Sequence, residues 1–357
     1  MKLFKCQSCG QVLYFENTHC ERCGRRLGYL PDVATMSALE PESDLWRTLA
    51  APEGSVRFCE NAGHDACNWL LAADASETHC AACRHNRTIP DITADENLVR
   101  WQRLEFAKHR LFYSPLRLHL PLRTRIEDPG HGLAFDFLAN SKGPTGPKVL
   151  TGHDNGLITI ALEEADDAER ERRRMQMGEP YRSLLGHFRH EIGHYFWDVL
   201  IRDGGRLEEY RAVFGDDSED YDAALKVHYR QGPPPDWQEQ FVSAYASTHP
   251  WEDWAETWAH YLHIVDTVEM ASAFRIRVRP RVTRDETMAA EIDLDPYRGG
   301  SMQEIIEAWL PLTFAVNNLN RAMGNSDLYP FVLSPAVVVK LGFVHDVIMQ
   351  FGSREKR

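Results

Sequence analysis

Hydrophobic positions change their period several times along this chain, and each change marks an element. Over residues 98–112, Leu98, Trp101, Leu104, Phe106, Leu111 and Phe112, with Lys108 in the same series, recur at mostly helical spacing. Thr93-Ala94-Asp95-Glu96 ahead of them has the form of a capping box with Thr93 as N-cap. Residues 116–120 (Leu-Arg-Leu-His-Leu) alternate and residues 133–138 partly alternate. Residues 157–162 (Leu-Ile-Thr-Ile-Ala-Leu) form a β-branched run after the turn signal His153-Asp154-Asn155-Gly156, so this part of the chain predicts strands. Residues 140–147 are a Gly/Pro/Lys loop, and residues 163–174 a charged run to which no function is assigned. Residues 29–46, rich in Pro, Ser, Asp and Glu, read as a loop. Helical period returns over 181–200, with Phe188, Ile192, Tyr195, Phe196 and Val199 for burial, briefly over 223–229, and then over 251–268, 301–323 and 336–350. Strands followed by helices give an α+β class.

Cysteine placement adds a second region. All eight cysteines lie between Cys6 and Cys83 in a chain of 357 residues. Cys6-x-x-Cys9 and Cys20-x-x-Cys23 form two knuckles, each followed by a glycine (Gly10, Gly24) where a tight turn needs positive φ, and together they predict one tetrahedral four-thiolate zinc site. Cys59, Cys67, Cys80 and Cys83 make a second set with a less regular first half, in which His64, His79 or His85 could stand in for one thiolate. Both sites would be structural, because four thiolates leave no open position. Residues 1–90 are therefore read as a small zinc-ribbon module and residues 91–357 as the main domain, for which a hydrophobic content of 43% gives ample core. A net charge of −13 makes nucleic acid an unexpected partner for the protein as a whole, while the module could recruit a protein. Nothing before Cys6 resembles a signal peptide. No stretch reads as able to span a bilayer, the best candidate at 331–349 being broken by Pro335, Lys340, His345 and Asp346, so a cytoplasmic protein is expected.

The chemistry concentrates at His190-Glu191-Ile192-Gly193-His194. Residues four apart share a helix face, so His190 and His194 can offer two imidazole nitrogens to one metal ion, with Glu191 on the adjacent rim as general base toward a metal-bound water. A surface helix that happens to carry two histidines is the competing reading, and a downstream constellation weighs against it. Trp197 and Leu200 stand where His-Glu-x-x-His-x-x-Gly-x-x-His needs Gly and His, which excludes that ligand set. The other common solution is a Glu from a later helix. Pro250 suits a helix's first turn, and Glu252 and Glu256 follow on one face. Glu252 is read as the third ligand and Glu256 as acceptor for the free N–H of a ligand histidine. Asp253, His260 and His263 stay open as alternatives, and an acidic first turn would also suit the helix dipole. Gly193 costs about 1 kcal/mol of helix propensity relative to Ala, which a close approach by the Glu252 helix or the metal would explain.

The pattern His-Glu-x-Gly-His at 190–194 followed by Tyr-x-x-Thr-x-x-x-Glu-x-x-Ala-Glu at 245–256 resembles the gluzincin arrangement of the anthrax lethal factor catalytic domain, over those two helices and the tyrosine only. Nearly the whole chain resembles the bacterial zinc-binding metallopeptidases that carry an N-terminal zinc ribbon. These resemblances imply a zincin-like domain, a small mixed sheet plus helices, acting as a zinc metallopeptidase on a peptide or protein substrate. In it His190, His194 and Glu252 hold a catalytic zinc, Glu191 is the base, and Tyr245 donates to the developing oxyanion. The fold analogy also makes the strand at 157–162 a sheet edge able to pair with extended substrate. With the thiolate sites, three zinc ions are expected, one catalytic and two structural. Tyr329, in a turn that reads as exposed, is a further hydroxyl without support for a role. The alternatives are a zinc-ribbon scaffold whose peptidase-like fold is inactive, and a metal-dependent hydrolase of a non-peptide amide.

Overall fold

The computed structural model describes residues 2–140, 149–177, 179, 181–282 and 286–354. Packing divides the chain into two units, one of residues 1–117 and 121–173, the other of residues 118–120 and 174–357. The first unit takes in the cysteine-rich region together with the long helix and strands that follow it.

In that unit β1 (Phe4–Lys5) and β2 (Val12–Leu13) form a hairpin across the first knuckle. Gly10 and Gly24 take φ of 78° and 71°, and their N–H groups donate to the Cys6 and Cys20 carbonyls at 2.9 and 2.8 Å, closing the turns that bring each cysteine pair together. A five-stranded antiparallel meander follows: β3 (Leu27–Leu30), β4 (Thr35–Glu42), β5 (Leu45–Thr48), β6 (Ser55–Phe58) and β7 (Leu70–Ala72). The loop expected at 29–46 is therefore mostly strand. Its Pro, Asp and Glu belong to the tight turn after β3 and the exposed end of β4, while Met36, Ala38 and Leu39 between them are buried.

After β8 (Asn86–Thr88) comes α1 (Asp95–Arg117). Thr93 does not cap it: the Thr93 hydroxyl and N–H both donate to Asp91 Oδ1, at 2.6 and 3.1 Å, and Glu96 pairs with Arg100 at 2.6 Å. A carboxylate two residues away is the stronger acceptor, so a local turn replaces the expected capping box. At its other end α1 runs through Pro115, and residues 116–120 are not a strand. The buried stripe Trp101, Leu104, Leu111, Phe112 and Tyr113 decides that stretch over its local alternation. Tyr113 reaches Phe15 at 5.7 Å between ring centroids, and Phe15 lies edge-on to Tyr29 at 4.8 Å, so α1 shares an aromatic core with the cysteine-rich strands.

β9 (Ala134–Leu138), β10 (Gly152–Asp154) and β11 (Leu157–Ala161) join β8 in a four-stranded mixed sheet of order β10-β11-β9-β8. β11 is hydrogen-bonded on both sides, antiparallel to β10 and parallel to β9, so the substrate-pairing edge expected at 157–162 is an inner strand. Its continuous apolar run is what such a strand needs. The loop expected over 140–147 lies, from residue 141 on, outside the described residues. Most of the charged run forms α2 (Asp167–Met177).

The second unit is helical. α3 (Leu184–Phe196) starts at Ser183, whose Oγ accepts from the Gly186 N–H, and passes directly into a π-helical stretch, Trp197–Arg202. α4 (Leu207–Phe214), α5 (Tyr221–Gln231) and α6 (Pro250–Ala273) follow. Trp254, Trp258, Tyr261, Leu262, Ile264, Val265 and Val268 have no exposed surface, which makes α6 a helix enclosed by its neighbours. α3 packs on it through Gly193, where a Cβ would lie 3.0 Å from Ala255 Cα and 3.3 Å from Trp258 Cβ. The glycine at that position thus reflects the close approach of the Glu252 helix. A strand pair, β12 (Arg277–Val278) and β13 (Ala290–Glu291), precedes α7 (Met302–Ala322) and α8 (Pro335–Arg354).

Residues Pro335–Gly352 of α8 are long and apolar enough to cross a membrane by length and composition, which corrects the expectation that no stretch is. One face of this helix is covered: Val337, Leu341, Val344, Val347 and Ile348 are buried, and Lys340 Nζ meets Asp253 Oδ2 of α6 at 2.6 Å. Burial pushes the Asp253 carboxyl up to about 7, against the pull of Lys340. Lys340→Met should therefore destabilise the fold by about 3 kcal/mol, the low end for breaking a buried pair, because Asp253 can escape by taking up a proton. Since protonated Asp253 no longer needs the lysine, urea unfolding should show a smaller loss at pH 6 than at pH 8. Equal losses would show that Asp253 is not the group Lys340 serves.

Candidate metal centre

α3 presents His190 and His194 one turn apart, and the first turn of α6 brings Glu252 against them. The two Nε2 atoms are 3.2 Å apart, and Glu252 Oε2 lies 3.0 Å from that of His190 and 3.5 Å from that of His194. His190 donates its Nδ1–H to Glu256 Oε1 at 2.7 Å, which leaves a lone pair on Nε2 of the neutral ring. Glu252 Oε2 is buried with no hydrogen-bond donor aimed at it among the described residues. Three ligand atoms thus converge on one point, a group that could hold a metal ion. Tetrahedral zinc with bonds of about 2.0–2.1 Å sets its nitrogen and oxygen donors about 3.3–3.4 Å apart, within the spread found here. These residues fit zinc.

The local electrostatics agree. Burial disfavours the His190 imidazolium, but the carboxylates of Glu252 and Glu256 outweigh it and hold the His190 pKa well above the usual range. His194, for which burial prevails, is shifted down. Burial also opposes ionisation of Glu256, yet its hydrogen bond with His190 brings it to about 2. Ser243 Oγ donates to Glu256 Oε2 at 2.6 Å, so the carboxylate that orients His190 is itself held. Glu191 follows His190 on α3 and is 9% exposed. Tyr245 lies in a short 3-10 turn with its ring 5.9 Å from that of His190.

The residues left open as third ligands have other partners. Asp253 pairs with Lys340, and His260 Nδ1 is 2.6 Å from the Tyr329 hydroxyl. His263 Nδ1 meets the guanidinium of Arg189, which also binds Asp266. Tyr329 is buried, so the exposed hydroxyl expected there is absent. Tyr221 was not legible as part of the site: its hydroxyl donates to Glu252 Oε1 at 2.6 Å from the start of α5. Nothing in the acidic segment around it marks it.

In the first unit Cys6, Cys9, Cys20 and Cys23 gather in one group, with Sγ–Sγ distances of 3.8 Å for Cys6–Cys23 and 3.5 Å for Cys9–Cys20. Cys59, Cys67, Cys80 and Cys83 form the other, with Cys67 and Cys80 3.8 Å apart. Zinc bonded to four sulfurs at about 2.3 Å needs edges of about 3.8 Å, so both sets fit the ion. Burial and neighbouring sulfurs push the Cys67 and Cys83 thiols up, whereas S–H donors around Cys80 outweigh its burial and draw it down. Sulfurs this close favour one thiolate at the others' expense until a dication holds all four.

His64, His79 and His85 do not join the second set. His85 donates Nδ1–H to the Leu133 carbonyl at 2.9 Å, His79 pairs with the Thr78 hydroxyl at 3.0 Å, and the His64 ring packs on Trp101. The histidine that faces this set is His109 of α1, with Nε2 3.2 Å from Cys67 Sγ and 3.5 Å from Cys83 Sγ. Beside it Lys108 and Glu105, both without exposed surface, pair at 2.9 Å. A signal did exist: Glu105, Lys108 and His109 interrupt an otherwise apolar stripe at helical spacing.

Comparison with known proteins agrees with this division of chemistry. Residues 3–94 match a zinc-ribbon domain, and residues 97–347 match the family described as "Putative zinc-binding metallo-peptidase". Uncharacterized proteins of Mycobacterium bovis and of Mycobacterium tuberculosis strains CDC 1551 and H37Rv are each 41% identical over 349 residues, covering 98% of this chain and 95% of the relative. No solved structure matches. With two imidazoles and a carboxylate converging in its helical unit and a family match across most of its length, the chain belongs to the zinc-binding metallo-peptidase family, with a zinc-ribbon domain preceding the peptidase region.

Proposed function

We propose that this protein is a zinc-dependent peptidase with a gluzincin-type centre like that of the anthrax lethal factor catalytic domain, hydrolysing a peptide or protein substrate. The observation that carries the reading is the convergence of His190 Nε2, His194 Nε2 and Glu252 Oε2 within 3.5 Å of one another, the donor types and spacing of a zinc site. A zinc ion bound there supplies Lewis acidity, lowering the pKa of water and polarising the scissile carbonyl. Glu191 takes the proton of the attacking water and delivers it to the leaving amine. Tyr245 donates its hydroxyl to the oxygen on which negative charge develops. Glu256 fixes the tautomer of His190 through Nδ1, and Ser243 fixes Glu256. Two further zinc ions in the thiolate sets hold the cysteine-rich region together, and that region serves to dock a protein partner. Eight unpaired cysteines suit a reducing compartment, so the cytoplasm is the proposed location.

Metal analysis of the whole protein should find three zinc ions, one removed by mild chelation and two retained by the thiolates; a single zinc would contradict the two thiolate sites. Glu191→Gln should keep the labile zinc and lower cleavage of a peptide library by about 10²- to 10⁴-fold, read by mass spectrometry of new termini. Joint loss of zinc and turnover would instead place Glu191 among the ligands. Zinc binds neutral imidazoles, so protons compete with it for His190 and His194. The affinity of the labile site should accordingly fall in acid and rise as the pH increases. Calorimetry under mildly acidic conditions in two buffers of different ionisation enthalpy should register proton release on binding, and its absence would show that no histidine is among the ligands.

A further inference from the structure

We propose that Tyr221 is a positioning residue of this metal centre, holding Glu252 so that a single carboxylate oxygen faces the metal. The inference rests on the zinc reading of His190, His194 and Glu252. Tyr221 opens α5, whose N-cap Asp220 accepts from the Ala223 N–H at 2.9 Å. His249, the N-cap of α6, ties the two helix starts together. Its Nδ1 accepts from the Trp251 N–H at 3.1 Å, so the proton is on Nε2, which donates to the Glu219 carbonyl at 3.1 Å. The Tyr221 ring is packed edge-on against both His249 and Trp251, with centroids 5.4 and 5.7 Å away. Tyr221 is thus anchored on both sides directly over Glu252.

Its hydroxyl donates to Glu252 Oε1 at 2.6 Å, while Oε2 of the same carboxylate is the oxygen that faces the histidine nitrogens. A carboxylate with both oxygens free can chelate and so fill the position that a peptidase must leave for water. With Oε1 occupied by a hydroxyl, Glu252 is restricted to one bond.

The test compares wild type with Tyr221→Phe, Tyr245→Phe and Glu252→Ala in the full chain. Its readouts are zinc competition with a chelator, the visible spectrum after cobalt exchange into the labile site, and melting of the labile-site apo form. Tyr221→Phe should weaken zinc about 10- to 100-fold, the range for losing a hydrogen bond to a ligand. Its apo melting temperature should be unchanged, and the cobalt bands should lose intensity as Glu252 chelates and the coordination number rises. Tyr245→Phe should leave both affinity and spectrum as in wild type. An unchanged cobalt spectrum in Tyr221→Phe overturns the proposal, with or without a lower melting temperature, since it reduces Tyr221 to a packing residue. Failure of the zinc reading itself looks different: Glu252→Ala would then bind the labile metal as tightly as wild type.

Discussion

Two imidazole nitrogens and a carboxylate oxygen lie within 3.5 Å of one another, a cluster that a cation would hold together, and the helical unit is arranged to keep them there. Each ion taken from water costs several kcal/mol, so the groups that hold these three in place must be rigid rather than merely near. Gly193 lets the α3 backbone approach Ala255, and Trp254 Nε1 donates to the Gly193 carbonyl at 2.8 Å, fixing the separation of the helices that carry the ligands. Phe196 stacks on Trp258 at 4.7 Å one turn further along. A side chain larger than glycine at residue 193 would move His190 and His194 away from Glu252, so helix packing and metal geometry are one constraint.

The same demand for a cation recurs in the first unit. Eight sulfurs gather in two groups, and α1 packs against the second from outside the cysteine-rich sequence, bringing His109 to the sulfurs and burying Glu105 and Lys108 beside them. His109 Nδ1 donates to the Glu105 carbonyl at 2.6 Å, which fixes the ring that faces the sulfurs. The match to the metallo-peptidase family begins at residue 97, inside this helix, yet Tyr113 and His109 pack into the core and cage of the region that precedes it. The ribbon and the start of the peptidase sequence are therefore physically interdependent.

What was legible in the sequence was whatever depends on short-range spacing. His190 and His194 share a face by helix geometry, the Cys-x-x-Cys pairs by turn geometry, and Gly193 signalled a close contact by breaking helix propensity. Most of the readings overturned depend on partners distant in sequence. Residues 116–120 alternate like a strand, but the first two end α1, whose buried stripe extends back to Trp101, and the rest are a turn. Residues 157–162 look the same as an edge or an inner strand until β10 and β9 are seen on either side. The Thr93 capping box failed to an acceptor two residues upstream. Tyr221 carries no local pattern that separates it from other tyrosines, since its role comes from a helix brought alongside by tertiary packing.

Anomalous X-ray diffraction from crystals of the full chain, recorded on both sides of the zinc absorption edge, tests the central claim most directly. One peak should lie about 2.0–2.2 Å from His190 Nε2, His194 Nε2 and Glu252 Oε2 together, with Glu256 touching His190 Nδ1 and not the ion, and one further peak should sit within each group of four sulfurs. A crystal with zinc in both thiolate groups but no peak between α3 and α6, or with the peak bound to Glu256 or His260 in place of Glu252, would contradict the account.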